Sequence, residues 1–79
     1  MKITIKGSSV EVEGHAETQV ACTTISALLG FLECAAERDG YEKYVLGDRI
    51  TLKWYGDLRA FVDVFENFVR NLNVEVWKV

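Results

Sequence analysis

The sequence predicts an α/β fold: a two-layer sandwich, in the order β-β-α-β-β-α-β, with two helices packed on one sheet. Three observations predict it. Short stretches alternate apolar and polar residues with a period of two. Two longer stretches repeat apolar residues at helical spacing. Glycine-containing turns separate the two kinds of segment. Two apolar helix stripes need a sheet face to cover, and the strands offer one. The chain has 79 residues, which supports a single domain spanning 1–79 with a single core.

The elements follow in order. Ile3 and Ile5 alternate with Lys2, Thr4 and Lys6, and Val10 and Val12 alternate with Glu11 and Glu13. With Gly7-Ser8-Ser9 as the turn, this is a hairpin with one buried face. Gly14 ends its second strand. A helix follows from about Val20 to Arg38, with Ala21, Ile25, Leu28, Leu32 and Ala35 on its stripe, and Leu29 and Ala36 widening it. Thr18 is its N-cap candidate and Gly40 its stop. Tyr41 to Leu46 reads as a third strand, and Gly47-Asp48 as a turn. Ile50, Leu52 and Trp54 mark a fourth strand. Asp57 is the cap candidate for a second helix, whose expected buried face is Leu58, Phe61, Phe65, Phe68 and Leu72. Val74 to Val79 is a final strand with Val74 and Val76 inward.

Composition excludes several function classes. Hydrophobic residues make up 49% of the chain, too many for a disordered segment. No stretch holds the roughly 18 uninterrupted apolar residues of a membrane span. The opening MKITIKGSS carries no continuous hydrophobic region, so no signal peptide and no membrane are expected, and the cytoplasm is the expected location. Nine Lys and Arg stand against twelve Asp and Glu, a net charge of -3, with no basic block to track a phosphate backbone. Nucleic acid is therefore a disfavoured partner. A mild negative charge suits a basic protein segment.

The reactive groups are few. Cys22 and Cys34 fall in one predicted helix, roughly 18 Å apart along its axis, too far for an intrachain disulfide. Both are expected to be free thiols, with Cys34 packed in or beside the core. The only histidine, His15, follows the second strand, and Cys22 lies seven positions later near a helix start. Backbone N–H groups in a helix's first turn lack intrahelical partners and favour a nearby anion, here a thiolate. An imidazole within roughly 3 Å of that sulfur can take its proton and later return it to a leaving amine. On periodicity alone, Cys22 reads more readily as a small packed hydrophobe and His15 as a surface or loop residue. A metal is not expected. His15 and Cys22 offer two ligands, Glu13 or Glu17 a third, whereas closed sites use four. No cofactor is implied.

The segment from Val12 to Leu28, VEGHAETQVACTTISAL, resembles the signature of the ribosomal-processing cysteine protease family, also called YsxB-like or Prp. Gly14-His15-Ala16 matches the strand end of that family. Cys22-Thr23-Thr24-Ile25-Ser26-Ala27-Leu28 matches its helix start, and the element order fits almost the whole chain. The resemblance implies a thiol protease with His15 as general base and acid and Cys22 as nucleophile. It implies a protein of this size that forms a homodimer. It implies a substrate that is a ribosomal protein precursor carrying a short N-terminal extension, or a phage capsid or scaffold protein. The chain departs from the family in its link, Ala16 to Ala21, which is shorter than the family's glycine-containing loop and lacks its Asp.

The expected chemistry is acyl transfer to the Cys22 sulfur, with oxyanion stabilisation by backbone N–H groups near residues 22 to 24. Ser26, one turn beyond Cys22, is assigned structural support. The alternative is a non-catalytic peptide-binding or adaptor homologue, for which Tyr44, Tyr55 and Trp77 are exposed aromatic candidates. The short link favours a divergent member with a more open cleft.

Overall fold

The computed structural model describes residues 1–79. Its elements are β1 (Lys2–Ile5), β2 (Ser9–Glu13), α1 (Gln19–Ala36), β3 (Tyr41–Leu46), β4 (Arg49–Trp54), α2 (Arg59–Arg70) and β5 (Glu75–Lys78). The strands form one mixed sheet in the order β3-β4-β2-β1-β5. Neighbours run antiparallel except β1 and β5, which pair in parallel from Lys2↔Glu75 to Ile5↔Lys78. Two further bonds extend that pairing, from Glu75 N–H to Met1 O and from Val79 N–H to Ile5 O. Both helices lie on one face, which makes the two-layer α/β sandwich.

Register explains which side chains are buried. Ile3 faces Val12, Val12 faces Ile50, Ile5 faces Val10 and Val10 faces Leu52. Cross-strand partners share a face, so two apolar rows, Ile3-Val12-Ile50 and Ile5-Val10-Leu52, run across the central strands beneath the helices. α1 contributes Ile25, Leu29, Leu32 and Ala36 to that core, and α2 contributes Val62, Phe65 and Val69. α1 is long and apolar enough to span a membrane by length and composition, yet one side of it is committed to the sheet. Its cap is Thr18, in extended backbone, whose hydroxyl accepts the Ala21 N–H at 3.1 Å. Gly40, at φ +94, ends the turn after α1 and donates its N–H to Ala36 O.

Three expectations from the sequence need correction. Phe61 and Phe68 are 42% and 53% exposed, and the buried stripe of α2 runs Leu58, Val62, Phe65 and Val69. Both stripes share Leu58 and Phe65, and periodicity alone does not say which flank faces the sheet. Phe61 instead packs its ring edge-on against Phe31 of α1, with centroids 5.7 Å apart. Cys34 is exposed rather than packed, because it sits on the side of α1 turned from the sheet. Asp57 precedes the N-cap, which is Leu58, but its Oδ1 accepts the Arg59 N–H at 3.1 Å.

The opposite sheet face has no helix. Arg49, Glu13, Lys2 and Glu75 fall in one cross-strand row of alternating charge. Lys2 Nζ lies 5.4 Å from the Trp77 ring centroid. Glu42 accepts hydrogen bonds from the Tyr55 and Tyr44 hydroxyls, which hold its carboxyl below the usual carboxylate range and raise both phenols.

Candidate active site

The chain leaves β2 through Gly14 at φ +79, a left-handed conformation that glycine adopts without a Cβ penalty. Gly14 N–H donates to Asp48 O at 3.0 Å, which ties this bend to the β3–β4 turn. His15 follows at once and is exposed. The link from Ala16 then turns back, and the Ala16 N–H donates to Cys22 Sγ at 3.3 Å. The sulfur's own contact to Ala16 O is 3.8 Å. A six-position loop is thereby closed onto the Cys22 sulfur through its backbone.

His15 and Cys22 line the same cleft, of ≈ 210 Å³. Its walls are Val12, Ile25, Leu29, Val45 and Ile50, with Met1, Gly14, Ser26, Gly47 and Asp48 at its margins. Half-buried Cys22 and exposed His15 thus meet one space from separate elements. The imidazole has no hydrogen bond of its own, and both partners of the sulfur are on Ala16. Ser26 shares the cleft. Thr24 does not take part, since its hydroxyl donates back to Val20 O at 2.7 Å.

The expected oxyanion donors are corrected by the helix start. With Thr18 as cap, Cys22 lies a full turn inside α1, and its N–H is bonded to Thr18 O at 3.2 Å. The N–H groups of residues 23 and 24 lie within the helical ladder. The N–H that does reach the sulfur is that of Ala16.

Sequence reading missed the wall opposite α1. Asp48, the one carboxylate on the cleft, and Val45 and Ile50 arrive through the β2–β4 pairing, and no local motif announces that contact. Glu13 and Glu17 do not gather with His15 and Cys22 into a group able to hold a metal ion. A larger depression of ≈ 260 Å³ at the other end of β1 is lined by no cysteine, serine or histidine. Two of its cations are already paired, Arg59 with Asp57 and Lys78 with Glu66. No family model matches this chain, and no curated protein matches its sequence.

Proposed function

We propose that this protein is a cysteine endopeptidase working through a Cys22–His15 dyad, on a protein precursor that enters the cleft as a peptide segment. The observation that carries the reading is the convergence of the only histidine and one of two cysteines on a single cleft, with a backbone N–H directed at the sulfur.

The reaction begins when His15 takes the Sγ proton, which needs the exposed imidazole to swing onto the sulfur. Catalytic hydrogen bonds often tighten only with substrate bound. The thiolate adds to the scissile carbonyl, and a C–S bond forms as the carbonyl π pair moves to oxygen. Ala16 N–H, freed from the neutralised sulfur, is placed to stabilise that oxyanion. The tetrahedral adduct collapses, the C–N bond breaks, and His15 returns the proton to the departing amine. Water, deprotonated by His15, then releases the acyl group and restores the thiol. Asp48 supplies negative charge on the cleft where the imidazolium forms. The family resemblance supports a ribosomal or phage structural precursor as the substrate.

The test is alkylation by iodoacetamide across a pH series, read site by site by mass spectrometry, with cleavage of ribosomal and capsid precursors in parallel. The dyad requires Cys22 to react faster than exposed Cys34, and His15→Ala to remove that advantage by roughly 10²-fold or more. Cleavage must vanish in Cys22→Ala. Equal, slow labelling of both cysteines, with no cleavage, would replace the protease with a peptide-binding adaptor.

A further inference from the structure

We infer that β3 is the recognition edge of the cleft, where an extended segment of the protein substrate adds to the sheet as a further strand and directs an apolar side chain toward Cys22. The inference rests on the protease reading for what happens next, but its geometry is independent of it.

β3 is the outermost strand and pairs only with β4. The two-residue Gly47-Asp48 turn, with only Gly47 at positive φ (+61), is of the type that opens on glycine. Such a turn makes Leu46↔Arg49 a hydrogen-bonded pair, and antiparallel alternation makes Tyr44↔Thr51 and Glu42↔Lys53 the next ones. The N–H and C=O groups of Val45, Lys43 and Tyr41 therefore point away from the sheet. None of the turn, loop or cap hydrogen bonds engages them.

Open edges are normally blunted by proline, by a bulge, by a cover or by charged side chains, of which β3 carries Glu42 and Lys43, the latter drawn to Glu33 of α1 at 3.2 Å. β3 has no proline, and its register with β4 is unbroken from Tyr41 to Leu46. Its side-chain alternation puts Val45 on the helix-covered face, where it is 65% exposed and forms one wall of the cleft that holds Cys22. The free backbone groups and the cleft meet at this residue. A strand added here places the side chain opposite Val45 on the same face, beside Val45 at the outer margin of the cleft. The ligand is thus an extended peptide with an apolar residue at that position. The other edge, β5, offers no such continuity with the cleft.

The probe is a capped, dye-labelled peptide, Lys-Thr-Val-Thr-Val-Thr-Val-Lys, with two variants N-methylated on alternate residues. Binding is measured by fluorescence anisotropy and amide chemical shifts on the Cys22→Ala protein, so cleavage plays no part. Expected are saturable binding, shifts concentrated on Tyr41–Leu46, and loss of binding for one methylation pattern only. Val45→Pro, which removes an outward N–H and spares the β4 ladder, weakens binding roughly 10-fold, whereas Val45→Thr keeps it. Thermal melting of both variants reports folding. No saturable binding, shifts elsewhere, indifference to methylation, or equal binding by the two variants overturns the inference. So do β3 shifts that depend on protein concentration without peptide, which would assign the edge to a second copy. Cys22-selective alkylation without β3 shifts sinks this inference alone. β3 binding with no reactive Cys22 sinks the protease reading alone.

Discussion

The backbone N–H of Ala16 points at the sulfur of Cys22 from 3.3 Å. That bond makes the short link itself part of the site. In the proposed reaction the same N–H serves the thiolate and then the oxyanion. Ala16→Pro deletes the donor, and it also fixes φ at position 16 and biases His15 toward extended backbone. Its expected effect is a fall in kcat of roughly 10²-fold, seen in single-turnover acylation, with an unchanged melting temperature. Unchanged acylation would remove Ala16 from the mechanism.

Thr18 holds the start of the helix that carries Cys22. Its hydroxyl accepts the Ala21 N–H at 3.1 Å. Thr18→Ala should cost about 1 kcal/mol, a drop of roughly 4–8 °C in melting temperature for a domain this small. Thr18→Ser should keep most of the stability. Hydrogen exchange should show the loss concentrated in the first turns of α1.

Phe65 and Phe68 separate the two candidate stripes of α2. Phe65 is 0% exposed and Phe68 is 53% exposed. Phe65→Ala should cost about 3–5 kcal/mol, enough to leave so small a domain largely unfolded. Phe68→Ala should stay within about 0.5 kcal/mol. Urea melts of the two variants decide the matter. Equal losses would mean that α2 is rotated from the orientation described.

Glu66 joins α2 to β5. Arg70 Nε lies 2.8 Å from one of its oxygens and Lys78 Nζ 3.0 Å from the other. The Arg70 hydrogen bond first, and then that of Lys78, hold its carboxyl below the ordinary value of 4.5. The folded protein therefore resists protonation of Glu66 more than the unfolded chain does. The resulting stability is complete above that ordinary value and is lost as pH falls through the depressed folded value. Glu66→Gln should lower stability by about 0.5–1 kcal/mol at neutral pH and by almost nothing at about pH 2. Denaturant melts at both values test it, and an equal loss at both would remove the ion pairs as the cause.

The strands and helices were legible because their periods differ. Ile50, Leu52 and Trp54 can alternate only in a strand, and Ile25, Leu29 and Leu32 can share a face only in a helix. Phe61 and Phe68 were misread because size and hydrophobicity favoured them over Val62 and Val69. Which of two overlapping stripes meets the sheet is decided by how the helix packs, a tertiary matter. At the site, His15 and Cys22 were singled out by their chemistry and by the family resemblance, and the structure brings both to one cleft. Val45, Asp48 and Ile50 were not, because the pairing of β2 with β4 joins segments on either side of α1. The oxyanion expectation failed for a local reason, since moving the helix start to Gln19 places Cys22 inside the first turn's hydrogen bonds.

The parallel pairing of β1 with β5 is the most non-local contact in the sheet. A hairpin such as β1–β2 closes a short loop, whereas β1–β5 must bring together segments from opposite ends of the described chain, at a greater entropic cost before any contact repays it. Until that closure, β1 has one bare edge and α2 lacks the strand that Glu66 grips. Premature self-association during refolding would therefore start at β1, and dilution should suppress it.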